Sequence, residues 1–148
     1  MKPFRDMGTN LIIDPISYIQ DLDIKDLRIY VGTDSQNVYD HTVYATVIFL
    51  HFGNRGGRIL YSRERVKRIR DTYSRLWNEV ERSIEVSNIL RDGGINVEFI
   101  DMDINISPKH RSNQILTSAL GYVESQGFVP RIKPYAPVAS CCADALCH

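Results

Sequence analysis

Apolar and polar positions along this chain follow two distinct periods, and the switches between them mark the elements. Residues 27–36, Leu-Arg-Ile-Tyr-Val-Gly-Thr-Asp-Ser-Gln, are an apolar run that ends in two hydroxyls, a carboxylate and an amide. Ile29 and Val31 are β-branched and Tyr30 is aromatic, so the run suits a buried strand. After the turn-like Asn37-Val38-Tyr39-Asp40, the stretch His41 to Phe52 is again rich in Val, Thr, Tyr, Ile and Phe. It closes on Gly53-Asn54-Arg55-Gly56-Gly57, whose glycines tolerate positive φ, and Arg58 to Val66 alternates as a returning strand near an edge. Three consecutive antiparallel strands follow from this pattern.

From Asp71 to Arg91 the period becomes helical, with Leu76, Val80, Ser83, Ser87 and Leu90 recurring at threes and fours until Gly93-Gly94 stops it. Ile95 to Asn105 reads as a further strand, and Asn113 to Gln126 as an amphipathic helix ended by Gly127. Phe128 to Pro134 is a Pro-bounded edge strand, and the small-residue tail reads as a helix starting near Pro137. Before the first strand, Asp14-Pro15 supplies an N-cap and a first helical Pro for a short helix that packs on the sheet edge. The order predicts one mixed α/β domain over residues 1–148, with 1–26 as an extension carrying that short helix.

Charge narrows the picture. Lys plus Arg and Asp plus Glu both number 18, so no global basic field advertises nucleic acid. Arg58, Arg63, Arg65, Lys67, Arg68, Arg70 and Arg75 nevertheless lie close together, and the simplest reading is a solvated basic face. No apolar run approaches the ~20 residues of a membrane span and the N-terminus lacks a signal-peptide core, so the expected address is cytoplasmic, away from membranes. Cys141, Cys142 and Cys147 are odd in number and crowded together, unlike a disulfide framework. With His148 they do not form a familiar zinc spacing either, so they read as buried or idle thiols. No GxxxxGK[ST], GxGxxG, Gly-x-Ser-x-Gly or His-Glu-x-x-His motif is present, which sets aside P-loop, dinucleotide, nucleophile-elbow and zincin chemistry.

Candidate chemistry therefore rests on acids at the ends of strands. Asp34 ends the first core strand, where open α/β sheets build their sites, although Asp34 and Ser35 also suit an ordinary turn. At about 100° per residue, Glu79 falls beside Leu76 and Ser83 at the edge of the apolar stripe, whereas Glu81 and Glu85 fall on the far side. Glu79 either faces the sheet or snorkels to water. Asp101 and Asp103 share a face by strand alternation, serving one site together or dividing between site and solvent.

The order of elements, with carboxylates at Asp34, Glu79, Asp103 and Asp144, resembles the ribonuclease H-like superfamily. Val31-Gly32-Thr33-Asp34-Ser35-Gln36, Asp103-Ile104-Asn105, Lys133-Pro134, Ala139-Ser140 and Ala143-Asp144 are similar to its YkuK-type family. The resemblance implies a five-stranded sheet in the order 3-2-1-4-5, with strand 2 antiparallel, strands 1 and 4 parallel neighbours, and Asp34 brought beside Asp103. Four converging carboxylates would repel one another unless cations neutralise them, and hard oxygen donors favour Mg²⁺ or Mn²⁺. Two ions about 4 Å apart suit in-line attack of water on a phosphodiester in RNA, DNA or a hybrid. In that scheme Asp34 bridges the ions, Glu79 and Asp103 complete one and Asp144 the other. Ser35, Gln36 and Asn105 would orient waters or touch the nucleic-acid backbone, and Lys109 and Lys133 would contact phosphates. A catalytically silent binding module on the same fold, or a small-molecule phosphate enzyme on a similar sheet, are the competing expectations.

Overall fold

The computed structural model describes residues 2–53, 56–103 and 115–132. In chain order it contains β1 (Phe4–Asp6), β2 (Ile12–Ile13), α1 (Pro15–Leu22), β3 (Leu27–Val38), β4 (His41–Phe52), β5 (Gly57–Lys67), α2 (Thr72–Asp92), β6 (Phe99–Met102), α3 (Leu116–Ser125) and β7 (Pro130–Ile132). Among the described residues the strands form one mixed seven-stranded sheet in the order β2-β1-β5-β4-β3-β6-β7. β3, β4 and β5 are the antiparallel meander read from the sequence, while β6 is parallel to β3 and β7 to β6. The five strands β5-β4-β3-β6-β7 thus have the expected order, and two further strands extend the sheet.

Those two come from the N-terminal extension. β1 pairs antiparallel with β2 and with β5 at Tyr61 and Leu60, so β5 is covered along part of its outer edge. Strands of three and two residues are too short to display a period, and nothing in residues 4–13 separates them from a polar lead-in. The cap that follows forms as expected, with Asp14 Oδ2 accepting from the Ser17 amide at 3.2 Å and Pro15 opening α1. Asp71 does the same for α2 through the Ser74 amide at 3.0 Å.

The glycine-bearing connection between β4 and β5 solves two problems. Gly53 and Gly56 take positive φ of 62° and 85°. Gly57 is needed for room, since a Cβ there would stand 2.4 Å from the Leu50 carbonyl oxygen. At the other end of the meander the turn is tighter than its sequence suggests. β3 runs through Val38, and only Tyr39 and Asp40 bridge to His41.

The main core lies on the α2 side of the sheet. Ile29, Val31, Ile48, Leu50, Leu60 and Ile100 meet Val80, Ile84, Val86 and Leu90 of α2, with Ile19 from α1 and Ala119 and Val123 from α3. Each large aliphatic side chain buried there contributes about 1.5–3 kcal/mol, enough to pin α2 across β3. The opposite face carries a smaller cluster of Ala45 and Val47 with Phe49, Ile59 and Tyr61. β6 is shorter than the expected strand, so Asp103 lies just beyond its last residue, Met102. The expected tail helix lies outside the described residues. Among those described, no helix is long and apolar enough to cross a membrane.

Candidate functional site

β3 reaches its polar end in the middle of the sheet, between β4 and β6. Its register with β4 is unbroken from Leu27 to Val38, so its side chains alternate strictly. Thr33 and Ser35 point toward α2. Thr33 Oγ1 lies 2.8 Å from Ser83 Oγ and donates to Thr46 Oγ1 at 3.1 Å. Asp34 and Gln36 belong to the opposite face, and Asp34 is buried at 8% exposure.

Glu79 is where α2 meets this strand end. It is buried in the helix interface, the sheet-facing one of the two alternatives its position at the stripe edge left open, and the Ser35 hydroxyl donates to its Oε2 in a short hydrogen bond. Arg75, one turn earlier, donates through Nη1 to the Ser35 carbonyl at 3.1 Å and to Ser35 Oγ at 2.9 Å, and stands 3.9 Å from Glu79 Oε2. Burial pushes the Glu79 carboxyl well above the ordinary carboxylate range, and the negative charges of Asp34 and then Asp103 push in the same direction. The Ser35 hydrogen bond and the Arg75 charge pull it back only in part. Glu79 therefore senses both strand-end acids.

The two ambiguous acid pairs differ in their surroundings. Asp101 is fully buried, and Arg131, its register partner on β7, grips it with Nε at 2.8 Å and Nη2 at 3.0 Å. The same guanidinium lies over the rings of Tyr30 and Phe99, 4.7 Å and 4.8 Å from their centroids. Asp103 is only half-buried and lines a narrow crevice with Thr33, Glu79, Ser83 and Asp101 itself. On the helix, Glu81 is exposed and accepts from Trp77 Nε1 at 3.0 Å, away from the strand ends.

The structure thus brings Asp34, Glu79 and Asp103 into electrostatic contact, with Ser35 hydrogen-bonded to Glu79 and Gln36 next along the Asp34 face. Asn105, Lys109, Lys133 and Asp144 lie outside the described residues. Arg75, read from the sequence as part of a solvated basic face, instead turns inward to Ser35 and Glu79, and its position four residues before Glu79 is a readable helical pairing. Arg131 carried no such signal, because its partner lies 30 residues away.

The donor chemistry suits a hard divalent cation. All three acids are oxygen donors, and burial disfavours the Glu79 charge even with Arg75 beside it. Gln36 Oε1 is a buried oxygen without a hydrogen-bond partner among the described residues, an acceptor on the face that Asp34 shares. Among the described residues, however, no three His, Cys, Asp or Glu side chains are arranged to enclose an ion. Glu79 approaches from the α2 side while strand alternation sends Asp34 to the other, so closure of a site requires a ligand from elsewhere in the chain or a reorientation at the strand ends.

Comparison with known proteins gives the following. The chain matches the family described as ribonuclease H-like over residues 11–148. No curated protein matches it. Among solved structures, it is similar to the N-terminal ribonuclease H domain of a Mycobacterium tuberculosis protein fused to maltose-binding protein, at 12% identity and a TM-score of 0.44, over 82% of this chain and 96% of that one. It is similar to ribonuclease H1 of the halophilic archaeon Halobacterium salinarum at 11% identity and a TM-score of 0.42, covering 80% and 98%. For Thermus thermophilus RuvC the values are 16% identity and 0.41, over 70% of this chain and 62% of RuvC.

Proposed function

The chain belongs to the ribonuclease H-like family, and we propose that it is a divalent-cation-dependent nuclease hydrolysing phosphodiester bonds in RNA or DNA. The observation that carries this reading is the buried Glu79, hydrogen-bonded to Ser35 next to Asp34 and sharing a crevice with Asp103, its carboxyl raised by burial and by the charges of both. An acid placed where its own charge is costly, beside two more acids at strand ends, is suited to meeting a cation. Asp34, Glu79, Asp103 and Asp144 are the residues that would hold Mg²⁺ or Mn²⁺. Bound there, the ions would supply charge neutralisation and an activated water for in-line attack.

The chain's own side chains do the positioning. Ser35 donates to Glu79 and fixes the carboxylate, while Arg75 holds Ser35 through its carbonyl and hydroxyl. Gln36 offers an amide oxygen, unpartnered among the described residues, to a water or a sugar hydroxyl. Asn105, Lys109 and Lys133 complete the contacts to the nucleic-acid backbone in this reading. The sequence around Asp34, Asp103 and Asp144 supports placing the chain in the YkuK-type family, and we propose a cytoplasmic location.

Asp34→Asn tests the proposal. With the fold intact by circular dichroism, it abolishes Mg²⁺-dependent cleavage across hybrid, duplex, single-stranded and branched substrates. A variant that cuts as well as wild type refutes the assignment. A wild-type chain that binds these substrates with metal present yet cuts none is the silent binding module instead.

A further inference from the structure

β5 places Arg63, Arg65 and Lys67 at alternate positions, all exposed and all on one face of the sheet. The register identifies that face. Asp34 pairs with Ala45 and Ala45 with Arg63, while Gln36 pairs with Val43 and Val43 with Arg65. The cations therefore stand on the Asp34 face, two strands away, or about 10 Å across the sheet. The row continues beyond the strand through exposed Arg68 and Arg70. At its end is Tyr39, 88% exposed and held at φ 55° in the β3–β4 turn, where Arg68 Nη1 donates to its carbonyl oxygen at 2.5 Å.

We infer that this row is the track along which the phosphate backbone of a nucleic acid lies as it approaches the Asp34 end of β3, with Tyr39 as a stacking surface for a base. The inference rests on the nuclease reading and names where its substrate binds. Same-face residues on a strand repeat at roughly 6.7 Å, close to the separation of successive phosphates along one nucleic-acid strand. Among the described residues Arg63, Arg65 and Lys67 form no direct ion pair, although the exposed Asp40 carboxylate in the β3–β4 turn interacts with the Arg65 charge. Arg65 is held in place by a contact to His41 Nε2 at 2.8 Å. Charged side chains also protect an edge strand from pairing, but that role needs charge of either sign. Along the strand the exposed charge on this face is all positive, Glu64 lying on the other face paired with Arg82, and the acid beside the row is Asp40 of the turn, which pairs with His41.

The test is fluorescence anisotropy of labelled single-stranded and duplex oligonucleotides of mixed sequence, in EDTA so that nothing is cut, as a function of NaCl. The triple variant Arg63→Gln/Arg65→Gln/Lys67→Gln weakens binding and lowers the slope of log K against log salt by about 2–3. Tyr39→Ala weakens binding about tenfold and leaves the slope unchanged, because stacking releases no counterions. Arg63→Lys/Arg65→Lys keeps the wild-type slope, and the distant Lys25→Gln changes neither quantity. A folded triple variant with wild-type affinity and slope overturns the inference. If wild type cleaves under Mg²⁺ in that case, the nuclease reading survives alone. A wild-type chain that neither binds nor cleaves removes both. Binding to phosphatidylglycerol vesicles that matches the oligonucleotides and is lost in the triple variant would instead assign the row to a lipid surface.

Discussion

Arg131→Met is the substitution whose consequence the structure sets most tightly. Asp101 has no exposed side-chain surface, and Arg131 holds both of its oxygens, at 2.8 Å and 3.0 Å, while remaining itself about one-fifth exposed. Removing the guanidinium leaves a carboxylate in the sheet interior without its main counter-charge, a change that costs about 3–5 kcal/mol. The lost stacking over Tyr30 and Phe99 adds about 0.5–1 kcal/mol, partly recovered by methionine's own apolar contact. For a domain of this size about 4 kcal/mol corresponds to a fall in Tm of roughly 8–16 °C. Urea denaturation followed by circular dichroism reads the free energy directly. The double variant Asp101→Asn/Arg131→Met removes charge and partner together, so it recovers most of the loss. Because Asp103 lies two residues beyond Asp101, the single variant also reduces cleavage more than its fraction unfolded explains. An Arg131→Met chain destabilised by under about 1 kcal/mol would refute the reasoning, since a truly enclosed carboxylate cannot lose its partner so cheaply.

Three further outcomes follow from named contacts. Glu79→Gln keeps an acceptor for Ser35 and deletes the charge; because the folded-state carboxyl is raised, wild type loses stability as pH rises from the ordinary glutamate range through the raised value. The variant should therefore gain on wild type over that window in EDTA and match it at lower pH, whereas parallel urea-midpoint curves would sever the link to Asp34 and Asp103. Ser35→Ala removes the donor to Glu79 and a contact of Arg75, costing about 1–3 kcal/mol by urea denaturation and reducing cleavage; an unchanged kcat would mean that Glu79 needs no such support. Gly57→Ala drives a methyl into the Leu50 carbonyl, which belongs to the paired strand and cannot step aside, so the cost is about 1–3 kcal/mol; a neutral effect would show that the hairpin adjusts freely.

The sheet was readable wherever a segment was long enough to show its period. β3, β4 and β5 each run for eleven or more residues, and the helical stripe of α2 placed Val80, Ser83, Ser87 and Leu90 in the interface. The same stripe separated Glu79 from Glu81, and the resemblance supplied the order of the five central strands. β1 and β2 were not legible, because five residues across two strands carry no periodicity. The turn within Asn37–Asp40 was legible but its two-residue tightness was not, since a bulky aromatic residue at positive φ contradicts the glycine and asparagine preference of such turns. Strand alternation showed that Asp101 and Asp103 share a face but could not say which is neutralised, because that depends on Arg131 arriving from a parallel neighbour. Asp101 and Asp103 line the same crevice yet differ in burial, Asp101 being enclosed and held by Arg131.

A crystal of the full chain soaked in Mn²⁺ and measured for anomalous scattering addresses the central claim most directly, because the signal locates the ion independently of substrate. The account predicts a peak bounded by Asp34 and Asp103, with Glu79 and Asp144 turned toward it. Fully occupied Mn²⁺ elsewhere on the chain, with these four carboxylates unliganded, would contradict it.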